Sequence, residues 1–155
     1  MDDERPSWDE YFMEMAYLAS ERSTCLSRHV GAVIVQDRNP ISTGYNGPAS
    51  GVMHCSEIGG CRRRKYPDYK SGAYLDKCPA SHAEQNAIAF AARHGISTDG
   101  ATAYVTTFPC KDCMNSLINS GIKKIVYDGE YDASLSTEIV EQTNVEVMKL
   151  TRKQK

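Results

Sequence analysis

No apolar run in this chain approaches the roughly 20 residues a membrane-spanning helix needs. The start, Met1-Asp2-Asp3-Glu4, is acidic and lacks the apolar core of a secretory signal. An intracellular, cytoplasmic protein is expected. There is no charge excess either. A formal net charge of −2 supplies no general attraction to a polyanion, so no polynucleotide partner is expected. Repeats and low-complexity segments are also missing. What is present is ordinary: 155 residues, 41% hydrophobic and 25% charged, which reads as one soluble domain over 1–155. The six cysteines stand out. Without a secretory signal, they are better explained by metal binding or catalysis than by disulfides.

The most informative stretch runs from His82 to Cys113. It reads His82-Ala83-Glu84 and, further on, Pro109-Cys110-Lys111-Asp112-Cys113. Zinc takes Cys and His ligands in tetrahedral geometry, and a catalytic site leaves one position open. His82, Cys110 and Cys113 would be three ligands, and Glu84 an acid/base beside them. H-x-E followed by P-C-x-x-C is a recognised signature of zinc-dependent base deaminases. On a regular helix, residues i and i+2 point to nearly opposite sides. His82 and Glu84 can meet only in a first turn, where side chains reach round the helix end. Ser81 is the expected N-cap of a helix running to His94, with Gly95 ending it. Cys110 and Cys113 share a face at the start of a second helix, with Pro109 suited to its first position. Two helix N-termini directed at one metal favour thiolates.

Along the chain, Ser7-Trp8-Asp9-Glu10 is a capping box. Apolar residues follow at Trp8, Tyr11, Phe12, Met15, Leu18 and Ala19, which predicts a helix to about Arg22 with this stripe in the core. Val30–Val35 reads as a buried strand, Asp37-Arg38-Asn39-Pro40 as a turn and Ile41–Tyr45 as a second strand. Further strands are expected at Thr102–Thr106, Lys124–Tyr127 and Val145–Met148. Further helices are expected from Cys110 to Ser120 and from Ser134 to Thr143. A hairpin followed by alternating helix and strand implies a three-layer α-β-α sandwich around a five-stranded mixed sheet. The polar tail after Leu150 should fray.

A long connection, 46–80, interrupts this pattern. So long a loop in a small domain is usually functional or pinned. It holds His54, Cys55, Cys61 and Cys78, with Cys25 just after the first helix. A structural zinc closing the loop is the expectation, on Cys25, His54, Cys61 and Cys78, with Cys55 as the alternate. Buried free thiols or a disulfide are the plainer readings. Arg62-Arg63-Arg64-Lys65 lies in the same loop. It could hold a phosphate or a polynucleotide, but such a run is more often a solvated face. His29 and His94 read as exposed or capping residues.

Two thiolates cancel the charge of a zinc ion, so such a site acidifies water weakly and needs a base nearby. Glu84 would take that proton and pass it to a ring nitrogen, then to the departing amine, leaving a carbonyl. The residues alone therefore reach amine hydrolysis on a small ring. A purely structural Cys/His zinc is the bland alternative.

At this point the sequence resembles the deoxycytidylate (dCMP) deaminase family, within the cytidine/deoxycytidylate deaminase superfamily. The resemblance rests on Gly44-Tyr45-Asn46-Gly47, His82-Ala83-Glu84, Pro109-Cys110-Lys111-Asp112-Cys113 and Ser120-Gly121-Ile122-Lys123-Lys124, and extends over about residues 7–149. It implies a cytidine deaminase-like fold and zinc-dependent conversion of dCMP to dUMP and ammonia, feeding thymidylate synthesis. It implies a homo-oligomer, a hexamer in many members, activated by dCTP and inhibited by dTTP. It also implies a sugar contact from Asn46, a nearby Tyr131, and pyrimidine contacts from the backbone of Ala83 and of Thr106 to Phe108. Some members carry a second zinc, with Cys25 and His54 at matching places. Competing readings are a deaminase of tRNA adenosine or of a free nucleoside, and a zinc-stabilised nucleic-acid-binding module using residues 62–65. A tRNA enzyme would want a broader basic surface than this chain offers.

Overall fold

The computed structural model describes residues 4–153. Its central sheet has strand order β2-β1-β5-β6-β7. These are β1 Gly31–Gln36, β2 Asn39–Tyr45, β5 Thr102–Thr107, β6 Lys124–Gly129 and β7 Glu146–Lys149. β1 runs antiparallel to both β2 and β5, whereas β5, β6 and β7 are parallel. This is the expected mixed sheet of five strands. Two short strands, β3 Gly47–Pro48 and β4 Ala80–Ser81, pair with each other at the two ends of the long loop.

Alternation along the strands builds two cores. Ala32, Ile34, Ala103, Val105 and Ile125 face helices α2 (Ala83–Arg93), α3 (Lys111–Asn119) and α4 (Ser134–Glu141). Val33, Val35, Tyr104 and Val126 face α1 (Trp8–Ser20). The β1–β2 turn is tighter than expected. Asp37 and Arg38 both adopt positive φ, 50° and 60°, as a two-residue hairpin turn requires. Asn39 and Pro40 therefore join β2, where an edge strand with an irregular register opposite Val35 tolerates proline.

Two expectations are corrected. The core face of α1 is Phe12, Met13, Ala16 and Ser20, whereas Trp8, Tyr11 and Leu18 of the apolar stripe are exposed. Ala16 and Ser20 win that face because they are small. Gly31 of β1 comes so close that an added Cβ would lie 1.8 Å from the Ala16 carbonyl oxygen. The tail does not fray over 151–153. The Arg152 guanidinium donates to both Glu14 carboxylate oxygens, at 3.0 and 2.9 Å, and sits 4.2 Å from the Tyr17 ring centroid. The first three residues and the last two lie outside the described range. No described helix is long and apolar enough to cross a membrane.

Candidate active site

Helix starts place the central residues, one position later than expected for α2 and two for α3. His82, not Ser81, is the N-cap of α2, with φ −76° and ψ 158°. Cys110 is the N-cap of α3, with φ −66° and ψ 169°, and Pro109 precedes it. An N-cap residue has extended backbone, so its side chain lies ahead of the first turn rather than beside it. That removes the i, i+2 conflict. His82 reaches forward from the cap, and Glu84 lies two residues in. The His82 N–H donates to the Gln85 side chain at 3.0 Å, locking the cap. Cys113 enters from the first turn of α3.

The Cys110 and Cys113 sulfurs lie 3.4 and 3.3 Å from His82 Nδ1. All three ligand atoms fall within 4.8 Å of one another, the only such group among the described residues. A tetrahedral zinc with Zn–S near 2.3 Å and Zn–N near 2.0 Å holds S and N about 3.5 Å apart. The donor set fits zinc.

The site's electrostatics support a cation. Hydrogen bonds with Cys113 and then His82 hold the Cys110 thiol down to about 4. Its bond to Cys110, followed by burial, pushes Cys113 up. The mutual hydrogen bond thus favours ionisation of Cys110 and opposes that of Cys113, and a divalent cation would favour both thiolates. The bond to Cys110 raises His82. Burial raises Glu84, whose residue is only 5% exposed. Burial thus favours the protonated form of this carboxyl, so a proton it accepts is held until it is passed on.

A cavity of about 550 Å³ opens over these groups, lined by His82, Glu84 and Cys110. Asn46, Ala83, Phe108 and Tyr131 also line it. Asn46 is held on both sides: its Oδ1 accepts from the Val30 N–H at 2.9 Å, and its Nδ2 donates to the Arg28 carbonyl at 2.8 Å. Thr106 does not line the cavity. Its hydroxyl accepts from the Gly31 N–H at 3.1 Å, and Thr107, the next residue along β5, faces the cavity instead. Arg63 and Arg64, from the basic run, line the same space, and so does Arg28, which no sequence signal singled out. The run 62–65 was the available signal, but its two faces could not be told apart.

The second cysteine group is looser. Cys25, Cys55, Cys61 and Cys78 line one small cavity of about 30 Å³, and each is a free thiol. His54 is not part of that lining; its Nδ1 lies 2.6 Å from the Thr24 hydroxyl. The structure thus places Cys55, the alternate, where His54 was expected. The other two histidines bond to backbone: His29 Nε2 lies 2.9 Å from the Cys25 carbonyl oxygen, and His94 Nδ1 lies 2.8 Å from that of Phe90.

Residues 6–128 match the family described as the cytidine and deoxycytidylate deaminase zinc-binding region. The chain is 44% identical over 133 residues to deoxycytidylate deaminase of Schizosaccharomyces pombe, covering 86% of this chain but 40% of that relative. It is 45% identical over 132 residues to deoxycytidylate deaminase of Mycobacterium phage D29, covering 81% of this chain and 98% of the relative. Among solved structures, the dCMP deaminase of cyanophage S-TIM5 in complex with dCMP and dUMP superposes with a TM-score of 0.77 at 30% identity, covering 96% and 100% of the two chains.

Proposed function

The chain belongs to the cytidine and deoxycytidylate deaminase family, and from that premise we propose that it hydrolyses dCMP to dUMP and ammonia. The observation that carries this is the His82, Cys110 and Cys113 cluster with buried Glu84 beside it, inside a cavity of nucleotide size. His82, Cys110 and Cys113 would hold a zinc ion, which would supply an electrophile that acidifies water. The protein does the rest. Ala83, Thr107 and Phe108 flank the pyrimidine, with Thr106 acting through β5 rather than by contact. Asn46 meets the sugar and Tyr131 closes the opposite wall. Glu84 takes one proton from the attacking water and delivers it to the ring nitrogen; it then takes the remaining proton from the new C–OH and hands it to the amine, so that the C–N bond breaks as the carbonyl forms and ammonia leaves. Its burial keeps that proton inside the site.

A panel of dCMP, CMP, deoxycytidine and dCTP, followed by loss of the cytosine absorbance and by ammonia release, tests the reading. dCMP should be turned over best; a clear preference for deoxycytidine would defeat it. Salt-dependent polynucleotide binding without ammonia release would favour the nucleic-acid module instead.

The same reading extends to the setting. The chain acts as one catalytic domain over 1–155, with the loop 46–80 inserted, in a cytoplasmic route supplying dUMP for thymidylate synthesis. It assembles as a homo-oligomer, a hexamer, with dCTP as activator and dTTP as inhibitor. Exposed Trp8, Tyr11 and Leu18 on α1 support a partner surface. The loop is closed by a second zinc on Cys25, Cys55, Cys61 and Cys78. The cavity those four cysteines share supports that set over one containing His54; no three of their sulfurs lie within 4.8 Å of one another, so the ion would have to draw them together. Metal analysis should find two zinc ions per chain, one after Cys55→Ser and two after His54→Ala. One zinc in the unaltered protein would end this part of the proposal.

A further inference from the structure

The basic run has two faces. Residues 62–65 form a 3-10 helix, in which i and i+3 share a side. Arg62 and Lys65 line an outer groove with Tyr66 and Lys77. Arg63 and Arg64 instead line the cavity that contains His82 and Glu84. Arg28 joins them there, its guanidinium 5.4 Å from the Tyr131 ring centroid. Three guanidinium groups thus border the space, and Glu84 is the single carboxylate among its lining residues.

Both loop arginines are pre-positioned. Arg63 Nε donates to the Ala73 carbonyl at 2.7 Å, and its guanidinium lies 5.4 Å from the Tyr69 ring centroid. Arg64 Nη2 donates to the Leu26 carbonyl at 2.8 Å and to the Ser27 hydroxyl at 3.0 Å. A guanidinium has five N–H donors, so each retains donors for a ligand. Holding a long side chain in place beforehand removes much of the ordering cost of binding. The chemistry that matches two such forks is a phosphate dianion.

We propose that Arg63 and Arg64 are the 5′-phosphate clamp of this site, so that the inserted loop sets the preference for a nucleoside monophosphate over the nucleoside. This rests on the nucleotide reading above. The paired β3 and β4 hold the two ends of the loop together beside α2, which keeps the clamp over the helix that carries His82 and Glu84.

The test compares dCMP with deoxycytidine as substrates of the zinc-loaded full chain. Arg63→Ala and Arg64→Ala should each lower kcat/KM for dCMP by roughly ten- to a hundredfold, mainly through KM. Turnover of deoxycytidine should stay within about twofold, which also reports that the variants fold. Arg64→Lys should recover part of the loss, because an ammonium supplies charge but no fork. Arg62→Ala with Lys65→Ala, on the outer face, should leave the ratio between substrates unchanged. A dCMP preference that survives Arg63→Ala and Arg64→Ala overturns the clamp alone. An equal fall for both substrates also overturns it. An unaltered enzyme with no preference for dCMP overturns the substrate reading, and the clamp with it.

Discussion

The replacement of Gly44 by alanine probes how the fold holds the site. Gly44 lies on β2 opposite Ala32, beneath the start of α2. A Cβ there would fall 2.2 Å from the Ala83 carbonyl oxygen and 2.5 Å from the Ala87 nitrogen. Both are helix backbone, so no side chain can swing aside. Restoring ordinary contact moves α2 away from β2 by roughly 1 Å. Overpacking of this kind costs about 1–3 kcal/mol, and rigid backbone puts the cost at the upper end. For a chain of this size, that is a fall in Tm of roughly 4–10 °C.

The displaced element also carries the chemistry. Ala83 directly follows His82 and precedes Glu84, so the helix cannot shift without moving a metal ligand against Cys110 and Cys113 on α3. A 1 Å misplacement at a reacting centre can cost about a hundredfold in rate. Gly44→Ala should therefore lower Tm, weaken zinc retention under chelator and cut kcat together. Calorimetry, metal analysis and steady-state kinetics on one preparation check this. Gly47→Ala is the stability control, since a Cβ there meets only Tyr45 ring atoms, at 3.8 and 3.9 Å. A Gly44→Ala protein with unaltered Tm and kcat would refute the reasoning.

Other perturbations separate roles. Glu84→Gln keeps the volume and removes the proton carrier; zinc content should hold while kcat falls by about 10²–10⁴, as followed by ammonia release. Met114→Ala opens a cavity at a fully buried position, 0% exposed, and should cost about 2–5 kcal/mol by denaturant titration. Arg152→Ala removes the Glu14 pair and the contact with the Tyr17 ring. With the paired side chains 46% and 34% exposed, the pair is worth less than about 1 kcal/mol, and its part of any Tm loss should shrink in high salt.

How far the sequence could be read follows from the range of each interaction. His82, Glu84, Cys110 and Cys113 were legible because helix starts bring them together, and helix starts are local. The shift of both helix starts, by one residue at Ser81 and two at Pro109, arose because these residues have strong positional preferences. His82 and Cys110 take the cap positions instead, and the Gln85 side chain holds the His82 N–H there. The five strands were legible from alternation and turn residues. The buried face of α1 was not. Phe12, Met13 and Ala16 face the sheet because Gly31 allows a close approach, and that fact belongs to β1 rather than to the helix. The same limit applies to the arginines. Whether Arg63 or Arg62 meets the cavity depends on where a 35-residue connection, 46–80, returns to the domain. That return is set by the pairing of Gly47 with Ser81, one residue before His82. The strand that closes the loop thus runs directly into His82. Loop position and site geometry are therefore coupled through a single peptide bond. A change that breaks the β3–β4 pairing should alter recognition at Arg63 and Arg64 as well as chemistry at Glu84, whereas a change on the outer face should alter neither.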